Sequence, residues 1–173
     1  RDMHPGLPIG IVGSSSGGYF ALALAQYPPD ELPYAFSIAL APVADIGKRR
    51  DYLRRCINGT AAEAGYTVQK SVELAEELLQ LQTNYWVTDA AVDAAAAALG
   101  PGKHGTPTLA VLGGKDLSCP LEVNQGLHDW VDRVVVLESY GHDLCERVPS
   151  NEEDNYLPEL IRFVGDAVKK AAR

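Results

Sequence analysis

Cysteine is scarce: the 173 residues hold three, Cys56, Cys119 and Cys145. They form no C-x-x-C pair, and an odd count makes a poor disulfide framework, so a stapled scaffold is not expected and an intracellular, reducing compartment is favoured. Positive charge is also short, with 15 Lys and Arg against 23 Asp and Glu, a net −8. That balance offers no electrostatic footprint for a phosphate backbone or an anionic lipid surface, so neither nucleic acid nor membrane is an expected partner. No apolar run approaches the roughly 20 residues that span a bilayer, and residues 1–20 lack the layout of a signal peptide. Glycine (16) and proline (11) show no period, which excludes collagen-like and low-complexity classes. What remains is a chain with 46% hydrophobic residues, enough for a core and of a length that suits one globular domain. It opens on Arg1, so it is expected to begin partway along a longer product or after processing.

Several short apolar runs stand out. Ile9 to Gly13 is rich in β-branched residues and bounded by Pro8 and a Gly/Ser turn, as a buried parallel strand would be. Tyr19 to Gln26 is mostly helix formers and is stopped by Pro28-Pro29. Further strands are expected at Ala35 to Leu40, Thr108 to Leu112 and Val134 to Leu137, with a helix over Leu121 to Trp130 before the last. Strands alternating with helices imply an α/β fold with a doubly wound parallel sheet. Residues 45–107 depart from this pattern: they carry no strand signal but show helical periodicity at Val68, Val72, Ala75 and Leu79, so they are expected to form a helical insertion within the domain. At the C-terminus Leu157, Leu160, Ile161, Val164, Val168 and Ala171 make one apolar stripe behind Pro158, which predicts a long final helix starting near that proline.

Between the first strand and the first helix lies Gly13-Ser14-Ser15-Ser16-Gly17, a match to G-x-S-x-G in the strand-turn-helix context that gives the pattern meaning, a nucleophile elbow. A sharp turn there strains the central residue and leaves no room for side chains two positions to either side, which Gly13 and Gly17 answer. In this register Ser15 is the nucleophile, and the backbone amide of Ser16, at the helix start, faces a developing oxyanion. Ser16 as nucleophile is the other register and puts Ser14 in a glycine position. A plain Gly/Ser turn that binds an anion is the structural alternative, although the lysine of a P-loop and the spacing of a dinucleotide fingerprint are both missing.

A serine hydroxyl needs an imidazole to take its proton and a carboxylate to orient that imidazole. Asp116 follows the third strand and His142 follows the fourth, both just past carboxyl ends, where parallel sheets place their sites. His4, His104 and His128 lack such a setting. Asp45, past the second strand, is a rival acid, and capping or bracing a turn is the ordinary use of an aspartate at Asp116. Cys119 and Cys145 lie near Asp116 and His142 in sequence but match no common zinc spacing, so no metal is expected.

Gly13 to Gly18, Gly113 to Asp116 running on to Pro120, and Gly141-His142 with Glu146 and Pro149 behind, taken in that order, resemble the α/β-hydrolase superfamily. The resemblance covers nearly the whole chain as strands five to eight of that fold, with 45–107 corresponding to the variable helical cap. It implies a serine hydrolase that cleaves a carboxylic ester, thioester or amide, a small or medium acyl ester first, through Ser15, His142 and Asp116 without a cofactor. Peptidase activity of the prolyl-oligopeptidase type is the next choice. The strands that precede the elbow in complete members, with the loop that supplies a second oxyanion donor, are not in this sequence. An N-terminal segment or a separate chain is therefore expected to complete the sheet. Two other functions stay open: a non-catalytic binding or scaffolding subunit that kept the architecture, and a flavodoxin-like anion-binding domain.

Overall fold

The computed structural model describes residues 7–28, 33–63, 70, 73, 90, 105–142, 144 and 155–172. Among them are four strands, β1 (Gly10–Ser14), β2 (Phe36–Leu40), β3 (Thr108–Gly113) and β4 (Arg133–Leu137), and three helices, α1 (Ser16–Gln26), α2 (Ile46–Glu63) and α3 (Leu157–Ala171). The strands form one sheet in the order β1-β2-β3-β4, and every neighbouring pair is parallel. The chain divides into two compact units, Arg1–Ala44 with Pro101–Arg173, and Asp45–Gly100. The second unit contains α2, whose start is capped where Asp45 Oδ1 accepts from the Lys48 amide at 2.8 Å.

In the first unit, alternation along the strands sends side chains to opposite faces of the sheet. Ile38, Leu40, Leu109 and Val111 meet Phe163 of α3, together with Leu137, Leu144 and Tyr156. Ala39, Ala110 and Leu112 face the other way and meet Leu22 of α1, with Leu127 and Val131. Helices on both faces make the sheet doubly wound, as expected. The interior strand β3 is buried at every position, which is why it reads as an unbroken apolar run. The edge strand β1 has no fully buried residue, and Val12 is 60% exposed. Ser37 Oγ, fully buried in β2, donates to the Ala21 carbonyl of α1 at 2.8 Å, so its burial leaves no orphan.

Two expectations are corrected. Leu121 to Trp130 is not one helix but two short 3-10 turns, Leu121–Asn124 and Leu127–Asp129, because Gly126 between them takes φ 89°, which no continuing helix allows. Helix α3 does begin at the proline, but its inward stripe is Leu160, Phe163, Val164 and Ala167, and Ile161 is 68% exposed. Leu160 and Val164 belong to both possible stripes, and the observed one is that in which Phe163 packs into the core against the sheet. No described helix is long and apolar enough to cross a membrane.

The candidate active site

The site lies where β1, β3 and β4 end. Ser15 sits between β1 and α1 with φ 56° and ψ −119°, a combination that residues with a side chain rarely adopt. Three backbone bonds hold it there: its amide donates to the Leu40 carbonyl at 2.9 Å, and its own carbonyl accepts from Gly18 at 2.9 Å and Tyr19 at 3.3 Å. A Cβ on Gly13 would stand 2.0 Å from the Gly17 carbonyl oxygen, so the strand must pass the helix start as bare backbone. The matching expectation for Gly17 is corrected: a Cβ there meets nothing within 4 Å. The close approach falls one residue later, where a Cβ on Gly18 would lie 2.9 Å from Pro42.

Asp116 follows β3 and is 2% exposed. Its Oδ1 accepts from the amides of Ser118 and Cys119, each at 2.8 Å, which fixes the carboxylate in its own turn. Its Oδ2 is left to face His142 Nδ1 at 2.8 Å. The histidine is positioned by the path of the chain after β4. Lys115 donates its amide to the Tyr140 carbonyl at 2.8 Å, and the Gly141 carbonyl passes so near Gly113 that a Cβ there would sit 2.3 Å away. Beyond the histidine, Leu144 is fully buried and its carbonyl accepts the Tyr156 hydroxyl at 2.9 Å. The ring's other nitrogen, Nε2, lies 2.9 Å from Ser15 Oγ. Residues 127 and 26 positions apart in sequence thus form one hydrogen-bonded line, Ser15 to His142 to Asp116.

The pair Asp116 and His142 favours its charged forms. Burial by itself would raise the Asp116 pKa, but the hydrogen bond with His142 and the amides of Cys119 and Ser118 together hold it below its ordinary value. The His142 pKa is pushed well above 6.5, first by the bond to Asp116 and then by the Cys119 thiol, against the opposing effect of burial. A ring that gains a proton readily at Nε2, with Nδ1–H held on a carboxylate, suits transfer to and from the neighbouring hydroxyl. Among the described residues nothing accepts from the Ser16 amide, which opens α1 beside Ser15.

The rival residues are placed elsewhere. It is Ser15 and not Ser16 whose hydroxyl meets His142. Asp45 is used within its own unit, on the Lys48 amide and 3.7 Å from the Lys48 ammonium. His128 is exposed on a 3-10 turn, while His4, His104, Cys145, Glu146, Pro149 and the periodic residues Val68, Val72, Ala75 and Leu79 lie outside the described residues. Sequence reasoning set Cys119 aside because its spacing to Asp116 and His142 matches no common zinc pattern, but the structure brings this residue, 3% exposed, close to the histidine: one ligand atom each from Asp116, Cys119 and His142 lie within 4.8 Å of one another. Its place three residues after Asp116, inside the turn that the carboxylate caps, was the available signal.

No family model matches the sequence, and a search of curated proteins finds no match. Solved structures do match. The mouse protein named alpha/beta hydrolase domain-containing protein 10 superposes with a TM-score of 0.54 at 19% identity, over 95% of this chain and 63% of that one. The alpha/beta hydrolase GrgF from Penicillium sp. sh18 gives a TM-score of 0.50 at 17% identity, over 93% of this chain and 64% of that one. Acetyl xylan esterase 1 from Thermoanaerobacterium sp. JW/SL YS485 gives 0.50 at 15% identity, over 91% of this chain and 45% of that one. The chain therefore spans about half to two thirds of the length of each structure it resembles.

Proposed function

We propose that this chain, whose fold is that of the α/β-hydrolases over about half to two thirds of their length, is a serine hydrolase cleaving a carboxylic ester, thioester or amide. The observation that carries the proposal is the continuous line from Ser15 Oγ through both ring nitrogens of His142 to a carboxylate with its other oxygen already saturated by backbone amides. A strained backbone at the serine and glycine where the strand passes the helix agree with a nucleophile elbow. That the neighbours named above are hydrolases, one of them an esterase by name, favours acyl transfer over an anion-binding turn.

In this reading Ser15 Oγ attacks the acyl carbon as Nε2 takes its proton, and the imidazolium is held by Asp116 through Nδ1–H. The oxygen of the tetrahedral intermediate is stabilised by the Ser16 amide at the positive end of α1. His142 returns the proton to the leaving group, leaving an acyl-serine. Water, deprotonated by the same nitrogen, then releases the acid and restores Ser15. No step requires a cofactor, and the substrate is a small acyl compound. We assign residues 45–107 to the variable helical cap insertion of the α/β-hydrolase fold. We also assign an N-terminal segment or a separate chain to the free edge of β1, where Val12 is exposed, with the second oxyanion donor coming from it.

The test is a fluorophosphonate probe applied to the full gene product with any chain that copurifies. Covalent labelling at Ser15, lost in Ser15→Ala, is the expected result. A folded sample that stays unlabelled overturns the enzyme in favour of a hydrolase-like binding subunit.

A further inference from the structure

Among the described residues, Cys119 is a chemically potent side chain of the site that the proposed reaction leaves unused. It is 3% exposed, its amide is spent on Asp116 Oδ1, and its sulfur shares a small volume with the carboxylate and the imidazole. One ligand atom from each of the three residues lies within 4.8 Å of the others. Ligand atoms around a tetrahedral zinc, bonded at about 2.0–2.3 Å, are themselves separated by roughly 3–4 Å, so only small side-chain movements are needed. We propose that Asp116, Cys119 and His142 form an inhibitory binding site for a thiophilic divalent cation, of which Zn2+ is the best fit.

The donor set argues for that class. A thiolate, a carboxylate and a neutral imidazole together carry two negative charges, which match a divalent cation, so binding buries no net charge. Sulfur and nitrogen donors favour Zn2+ over Mg2+ or Ca2+, which require oxygen cages. Asp116 and Cys119 are closed off, with 1% of the Asp116 side chain exposed, but the imidazole keeps 33% of its surface open, leaving a side for entry and for a water as fourth ligand. Sequence spacing hides the set because two of its members share one loop and the third lies on another.

Inhibition follows from the ring's two nitrogens. Asp116 faces Nδ1, so a cation gathered by the carboxylate and the thiolate takes the Nδ1 lone pair. The thiol proton leaves to solvent; an imidazolium also loses its Nδ1 proton, whereas a neutral ring exchanges its Nδ1 proton through solvent for one on Nε2, so that in both cases one ring proton is kept. The ring's remaining proton is then confined to Nε2, which can donate to Ser15 Oγ but no longer accept from it. The consequence for activity rests on the hydrolase reading, whereas the binding does not.

Two measurements separate these. Cobalt(II) added to the wild-type protein is expected to give the near-ultraviolet thiolate-to-metal charge-transfer absorption, kept in Cys56→Ser and Cys145→Ser and lost in Cys119→Ala. Zn2+ affinity, measured by competition with a chromogenic chelator, is expected to fall in Cys119→Ala by more than the roughly 10–100-fold that loss of a mere supporting residue causes. The Cys119→Ser variant, which keeps the side-chain size, guards against a folding artefact and is expected to lose the band as well. Zn2+ should also slow fluorophosphonate labelling of Ser15, with EDTA restoring it. A cobalt complex without the thiolate band, or equal Zn2+ affinity in wild type and both Cys119 variants, overturns the proposal. If the Cys119-dependent band is present but Ser15 is never labelled, the metal site stands and the hydrolase reading falls.

Discussion

Replacing Asp116 by asparagine probes the proposed mechanism with almost no change of shape. Two donors, the amides of Ser118 and Cys119, converge on Oδ1 at 2.8 Å, and one, Nδ1–H of His142, on Oδ2. The new amide can place its oxygen at only one of these positions. With the oxygen at Oδ2, its NH2 would confront two backbone N–H groups, orphaning buried donors at about 1–3 kcal/mol each. With the oxygen at Oδ1, both turn bonds survive and the NH2 donates to Nδ1. The second orientation wins by several kcal/mol, and it carries a chemical penalty: a ring that accepts at Nδ1 must hold its proton on Nε2, where it cannot take one from Ser15. The same substitution in the serine-protease triad lowers turnover by about 10⁴, which at about 1.36 kcal/mol per decade corresponds to roughly 5.4 kcal/mol of transition-state stabilisation. The expected outcome in Asp116→Asn is therefore a loss of about 10³- to 10⁴-fold in both p-nitrophenyl ester hydrolysis and fluorophosphonate labelling, with a melting temperature within a few degrees of wild type. A variant that keeps labelling within about tenfold of wild type would refute the role assigned to the carboxylate.

Other outcomes follow from the same geometry. Gly13→Ala drives a Cβ to 2.0 Å from the Gly17 carbonyl and should cost about 1–3 kcal/mol or more, whereas Gly17→Ala meets nothing and, inside α1, should be neutral or up to about 1 kcal/mol stabilising; urea titration of the pair checks the asymmetry. Gly113→Ala pushes on the Gly141 and Tyr140 carbonyls, at 2.3 and 2.7 Å, and should displace His142, so Ser15 labelling should fall even in protein that remains folded by circular dichroism. Because the base must be neutral and the His142 pKa lies above 6.5, activity should rise with pH through a limb on the alkaline side of 6.5; a limb at or below 6.5 in a pH-rate profile of kcat/KM contradicts the pairing with Asp116. The sign for stability is opposite. The raised His142 pKa contributes fully below 6.5 and is lost as pH climbs through the folded value, while the lowered Asp116 pKa contributes above 3.8 and is lost as pH falls through its own.

The line of strands, the parallel sheet and the meeting of Ser15, Asp116 and His142 were legible from residue types because each rests on a local cause. β-branched runs bounded by Gly and Pro make buried strands, and in a parallel sheet whatever follows a strand's carboxyl end arrives at the same rim, however far apart it lies in sequence. The rest depended on which neighbours the backbone met. Gly17 and Gly18 look equivalent in the sequence, but Pro42 approaches only the second. Leu121 to Trp130 has helical composition, yet Gly126 takes a left-handed conformation and splits it. Helix α3 offers two overlapping apolar stripes, and contact with the sheet selects the one that carries Phe163. Cys119 stood in plain view next to Pro120, but its nearness to His142 exists only because the loop after β4 folds back over the loop after β3. Local chemistry thus determined the elements, their order and the residues able to react. Long-range packing decided which glycines are indispensable, which helix face is buried and which thiol stands beside the imidazole, because those outcomes depend on distances between segments that no single stretch of chain encodes.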